Sequence, residues 1–330
     1  MSPAARSVTN VLMLEPAGSR KAWREWRAGV ELTRLDGECL AVLPLLSGRL
    51  REWLPEDADA DPAKEIVLGI CKRAWAQNQL RYRETAGAID ILRQEGVDVT
   101  IFGPVAWSLL YQEEKAVRPI ETLDFLAPRD RVNVAVNALQ CAGWTVEPDM
   151  PPLAGRVFDT HIGIWLRSPN GTPCQLAWRL SNVSPELARS HEATPARRPL
   201  DLVGTQAFVV QTEELFVGAL TREHDRLVNW QCDAVVLLRN RTVEWRRLRT
   251  LTDSFPAAVE RLSQVRREFG ASIPPEATAI REPGPLVRRY LAIRADYRRV
   301  CWAEGRSSSP AGLARYALWR ASRRNRARTQ

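Results

Sequence analysis

The spacing of apolar residues changes twice along the chain. From Asp61-Pro62 to Gly96 they recur at mostly helical intervals, at Ile66, Ile70, Ala74, Leu80, Ala88 and Leu92. A helix-starting aspartate, a proline suited to a first turn and a glycine stop bound this run, which is long enough to predict one break near Gly87. Upstream, residues 20–32 and 37–54 read as shorter helices, the second disturbed by Pro44. The period then becomes two: Val97, Val99 and Ile101 alternate with Asp98 and Thr100, a strand signal ending at Gly103. A helix over 105–114, a strand over 119–128, a helix over 129–143 and a short strand over 144–148 follow. Residues 161–167 and 174–180 then flank Asn170-Gly171, the signal of a hairpin turn. From Thr212 the period is helical again, with Glu213 and Glu214 in a first turn where the helix dipole favours them.

These changes predict an α+β architecture in four parts: an N-terminal helical region over 1–95, a mixed α/β core over 96–205, a C-terminal helical region over 206–275, and a linker with a basic tail over 276–330. No stretch of 18 apolar residues occurs, and "VLMLEPAG" is interrupted too early for a signal peptide, so no transmembrane segment is expected. Six separated cysteines, with no CxxC pair, argue against a zinc site or a disulfide scaffold. The expectation is a cytoplasmic protein in a reducing compartment.

Charge refines this picture only at one end. The whole chain has 47 basic and 39 acidic residues, a net of +8. Residues 281–330 hold 13 arginines against Glu282, Asp296 and Glu304, a net of +10, which leaves the first 280 residues at −2. Across 286–328 the arginines alternate with Tyr290, Tyr297, Trp302, Tyr316 and Trp319. Such a segment suits an acidic protein or an anionic surface, or is a solvated helix with a free end; nucleic acid is the minority reading, since no RNA or DNA module motif is present.

The run "VDVTIFGPVAWSLLYQEEKAVRPIETLDFLAPRDRVNVAVNALQCAGW" resembles the start of the catalytic core in a bacterial family of uncharacterised nucleotidyltransferases, within the DNA polymerase β-like superfamily. Gly103, Tyr111, Arg118 and Asp124 fit its pattern, and the likeness extends over about residues 20 to 270. It implies a small polymerase β-like core flanked by helices, transfer of a nucleotidyl group from a nucleoside triphosphate to a hydroxyl acceptor, and Mg²⁺ or Mn²⁺ held by strand carboxylates. On this resemblance Asp124 is the metal ligand, and Gly103 and Arg118 meet phosphate; Lys115, in the same loop before the second strand, is a further phosphate candidate that does not match the family pattern.

Two carboxylates of that pattern are replaced. Thr122 stands where the first is expected, Gln175 where the third is expected, and Ala177 where a histidine precedes Trp178. Glu121 cannot substitute in a regular strand, because Thr122 and Asp124 share a face and Glu121 points to the other. Asp159 and His161, two apart entering the hairpin, would share a face as an acid-base or metal pair, or as a partly buried histidine with its carboxylate. For Asp124 an ordinary strand-end acid is the alternative, for Gly103 a turn glycine, and for Lys115 and Arg118 solvated loop charges. Cys174 reads as a buried thiol and Asp233 as structural. Two functions follow: a family enzyme with weakened or lost catalysis, or a non-catalytic accessory protein that binds a ligand or partner.

Overall fold

The computed structural model describes residues 3–14, 16–53, 63–113, 115–148, 153, 158, 162–179, 197–221, 228, 230–240, 242–252 and 256–269. Asp159, His161, the linker and the basic tail lie outside the described residues.

Four helices open the chain: α1 (Pro3–Met13), α2 (Pro16–Gly29), α3 (Gly37–Val42) and α4 (Ser47–Trp53). Pro44 tightens the chain between the last two into a 3₁₀ turn, Leu43–Leu46. A first helix at Pro3 was not expected from the sequence. Its C-terminal carbonyls are taken by two arginines from distant segments. Arg49 donates to Val11 and Leu14, at 3.1 and 3.0 Å, and Arg239 donates to Leu12 and Met13, at 2.8 and 2.6 Å. Cationic donors at a helix C-terminus satisfy carbonyls that have no partner within the helix.

Helix α5 (Ala63–Gln94) is a single helix of 32 residues, without the break expected at Gly87. Its buried stripe of Val67, Cys71, Ala74, Asn78, Tyr82, Thr85, Ile89 and Leu92 keeps helical spacing throughout. Gly87 lies on the exposed side, where losing a side chain removes no packing contact.

The central sheet has seven strands: β1 (Thr100–Phe102), β2 (Leu123–Leu126), β3 (Thr145–Val146), β4 (Gly163–Arg167), β5 (Pro173–Ala177), β6 (Arg197–Leu202) and β7 (Thr205–Val210). Their order is β3-β4-β5-β2-β1-β7-β6. Pairings β1–β2, β3–β4, β4–β5 and β6–β7 are antiparallel; β1–β7 and β2–β5 are parallel. The sheet is therefore mixed, in an α+β fold. Strand β7 pairs with β1 and carries the sheet to Val210, past the expected boundary at 205.

Helices α6 (Gly103–Glu113) and α7 (Val132–Cys141) join the strands, and α8 (Thr212–Thr221), α9 (Trp230–Asn240), α10 (Trp245–Thr252) and α11 (Pro256–Phe269) follow the sheet. Ile101, Leu123, Phe125, Ile164, Leu166, Cys174 and Leu176, all buried, form one sheet face and part of a core that reaches every helical region. Glu213, placed in the first turn of α8, accepts a hydrogen bond from the backbone N–H of Glu244, at 2.8 Å.

The loop before β2 is fixed by polar contacts. Asn78 on α5 donates to the carbonyl of Arg118, at 2.7 Å, and accepts from the N–H of Ile120, at 3.1 Å. It also donates to Ser108 on α6, at 2.9 Å, and Ser108 pairs with the Tyr82 hydroxyl, at 2.7 Å. Burial, opposed by these hydrogen bonds and by Arg118, pushes the Tyr82 phenol up to about 12. Arg118 itself is fully buried and forms a two-point ion pair with Asp233 on α9, Nε to Oδ1 at 2.8 Å and Nη2 to Oδ2 at 3.1 Å. Burial alone would depress the guanidinium pKa, but Asp233 and Glu121 outweigh it and hold it above the usual value.

Removing one member of a buried pair leaves the other charge unpaired in the interior. Asp233→Ala is therefore expected to cost about 3–5 kcal/mol, read as a lower urea midpoint.

Candidate functional site

One row across the sheet collects the residues singled out in the sequence. Phe102 pairs with Asp124, Asp124 with Gln175, and Gln175 with Trp165, so the four side chains share a face. Thr122, two residues before Asp124, lies on that face at the start of β2. The row is closely covered: Asp124 is 1% exposed, Gln175 7% and Thr122 9%. Its neighbours Phe102 and Trp165 are half-buried.

Asp124 meets the first residue of α6. Gly103 has φ +63, and a Cβ added to it would fall 3.0 Å from Asp124 Cβ and 2.8 Å from Cγ, with Oδ2 closer still. A side chain at 103 is excluded by backbone conformation and by the carboxylate together. The glycine kept in the family pattern is thus required here by its contact with the aspartate.

Arg118 does not join this row. It turns inward, giving Nε and Nη2 to the buried Asp233 carboxylate and Nη1 to the Pro119 carbonyl. Glu121 is drawn the same way, its Oε2 3.7 Å from Arg118, and is not placed beside Asp124. Lys115 occupies an exposed left-handed turn after α6, with φ 54, where its carbonyl accepts from Ser47 at 3.3 Å. Cys174 is fully buried on the opposite face. Burial first, then the carboxylates of Asp124 and Glu84, push its thiol well above the usual range, so it is no nucleophile.

Sequence reasoning missed the side chain that positions the hairpin carrying Gln175. Glu84 on α5 accepts from Thr172 Oγ1 at 2.6 Å, from Ser168 Oγ, and from Arg81 Nη1 at 3.0 Å, and so clamps the β4–β5 turn to the helix. The Ser168 hydroxyl also accepts from the Thr172 N–H, at 3.0 Å. The available signal lay in polar residues on or beside the apolar stripe of a long helix: Asn78, Arg81 and Glu84.

A metal centre of the kind that the sequence resemblance implies needs several acidic donors around one position. Among the described residues no group of three His, Cys, Asp or Glu side chains is placed to hold a cation. Asp124 is flanked on its face by neutral Thr122 and Gln175. The described residues do not fit a two-metal centre.

A family model described as an uncharacterised nucleotidyltransferase matches residues 39–257, about two thirds of the chain. The chain belongs to this family. Residues 39–257 run from α3 through the whole sheet and into the C-terminal helices, so the Asp124 row lies inside the family's matched region. One solved structure, an antigenic nucleotidyltransferase-like protein from Paracoccidioides brasiliensis, is similar at 13% identity and a TM-score of 0.36, over 58% of this chain and 93% of that one. No protein of curated function matches the chain in sequence. Among the described residues of this nucleotidyltransferase-family protein, no helix is long and apolar enough to cross a membrane.

The Glu84 clamp makes stability depend on pH. Burial raises the Glu84 carboxyl pKa, but hydrogen bonds from Ser168, Thr172 and Arg81 outweigh it and hold the group below its usual value. Its contribution is complete above the unfolded pKa, about 4.3, and is lost as pH falls through the lower folded value. Glu84→Ala should therefore lose about 1.5–3 kcal/mol at neutral pH. In urea titrations the gap to wild type should close as the pH is lowered through that window.

Proposed function

We propose that this member of the nucleotidyltransferase family has weakened or lost nucleotidyl transfer and serves as an accessory protein that binds a ligand or partner. The observation that carries the reading is the Thr122–Asp124–Gln175 row: one carboxylate where the chemistry needs three, and that one almost wholly buried against Gly103. A triphosphate in transfer carries charge that must be neutralised as the bond to the leaving pyrophosphate breaks. Of the phosphate partners that the sequence offers, Arg118 is committed to Asp233, which leaves Lys115 on its exposed turn as the charged one.

The active-enzyme reading, with a nucleoside triphosphate and Mg²⁺ or Mn²⁺, draws its support from family membership and from the adjacency of Gly103 and Asp124. The acidic or anionic partner proposed for residues 286–328 rests on sequence charge alone.

Pyrophosphate release separates the two. The full chain is incubated with each of the four common nucleoside triphosphates in Mg²⁺ or Mn²⁺ together with hydroxyl acceptors, a sugar and a serine-, threonine- and tyrosine-containing peptide, beside Asp124→Asn. No release, or release equal in both proteins, supports lost transfer; wild-type release that the substitution abolishes overturns it.

A further inference from the structure

We propose that Asp124 is the anchor that fixes the start of α6 against β2 and takes no part in holding a divalent cation. This rests on the reading of lost transfer above and adds the role that the remaining carboxylate now plays.

Three observations converge on it. The first is contact: the Asp124 side chain is seated on Gly103, the first residue of α6, at a separation that leaves no room for a Cβ. A carboxylate packed against one helix start is held by shape, whereas a bridging metal ligand must turn both lone-pair edges toward the cations. The second is charge compensation. A carboxylate at low exposure is favoured beside positive charge, and this one lies beside the positive end of the eleven-residue α6. The third is the neighbourhood. Thr122 and Gln175 are neutral, Glu121 is drawn to Arg118, and Arg118 is held by Asp233. Around Asp124 the groups that the sequence offers as a second ligand are uncharged, Glu121 and Arg118 face other partners, and Lys115 lies on an exposed turn after α6.

The anchor also accounts for the chain path. Strand β1 ends at Phe102, opposite Asp124, and the left-handed Gly103 turns directly into α6. Pro104, in the first turn, needs no donor there. Asp124 fills the space beside Gly103 that a side chain at 103 would otherwise enter.

The test uses the full chain, Mn²⁺ alone as probe, and thermal melting. Titrating Mn²⁺ into wild type by calorimetry is expected to give no saturable heat at millimolar metal, and Mn²⁺ should leave the melting temperature unchanged. Asp124→Asn, which keeps the shape, should melt close to wild type, while Asp124→Ala should melt lower by about 5 °C or more. Gly103→Ala should be lowered further, and combining it with Asp124→Ala should recover part of that loss because the contacts with the carboxyl group, the closest ones, are removed.

Saturable Mn²⁺ binding that Asp124→Asn removes would overturn the proposal, and so would an Asp124→Ala protein that melts like wild type. Mn²⁺ binding that Asp124→Asn leaves intact places the cation elsewhere and agrees with it. If the alanine variants do not fold, the metal titrations of wild type and Asp124→Asn still decide. Mn²⁺ bound at Asp124 without pyrophosphate release rejects the anchor alone; release that depends on Asp124 rejects the reading of lost transfer.

Discussion

The buried pair between Arg118 and Asp233 is the constraint on which the arrangement of the core depends. Arg118 precedes β2, Asp233 lies in the first turn of α9, and 115 residues separate them. Both charges are fully withdrawn from water, which costs several kcal/mol for each ion and is repaid only by good geometry and further hydrogen bonds. Here the geometry is two-pointed, and the guanidinium also donates to the Pro119 carbonyl at 3.0 Å. The same loop is gripped from the other side by the Asn78 amide. Strand β2 therefore enters the sheet with its register set by α5, α6 and α9 before any residue of the Asp124 row makes a contact of its own.

From that register the rest of the row follows. Asp124 falls opposite Phe102 and beside Gly103, Gln175 is brought alongside by parallel pairing, and the hairpin bearing Gln175 is clamped to α5 through Glu84. Charge is distributed in an orderly way. Arginines and acids that carry large interactions sit around the row, in the Arg118–Asp233 pair and the Arg81–Glu84 clamp, and the row itself holds a single carboxylate.

Much of this was legible in the sequence because it depends on local periodicity. The alternation at 97–101, the Asn170-Gly171 turn and the Thr122/Asp124 face are short-range facts. The structure departs from expectation where the signal was weak or non-local. The β6–β7 hairpin went unseen because its turn is Val203-Gly204, and a β-branched residue at φ 54 lacks the Asn or Asp that usually marks such a turn. The break expected at Gly87 followed a local rule that the continuous buried stripe of α5 overrides. The family pattern contains an arginine at 118 but does not state which way it faces. Its partner lies far along the chain, so no spacing could reveal that it points inward. Glu84 was hidden for the same reason, its partners in the hairpin lying 84 to 88 residues away.

The replacements on the row are consistent with one another physically. Cross-strand neighbours stand about 5 Å apart, so three carboxylates on this face would repel strongly unless cations lay between them. At exposures of 1, 7 and 9% water could not screen them. Closing such a row without metal requires that the outer positions lose their charge while keeping polar, space-filling side chains, which is what Thr122 and Gln175 provide. The remaining carboxylate then needs a single favourable partner, and the first turn of α6 stands next to it. The neutral pair and the Gly103 contact are two parts of one solution: the first removes the repulsion, and the second gives the last charge a place to rest.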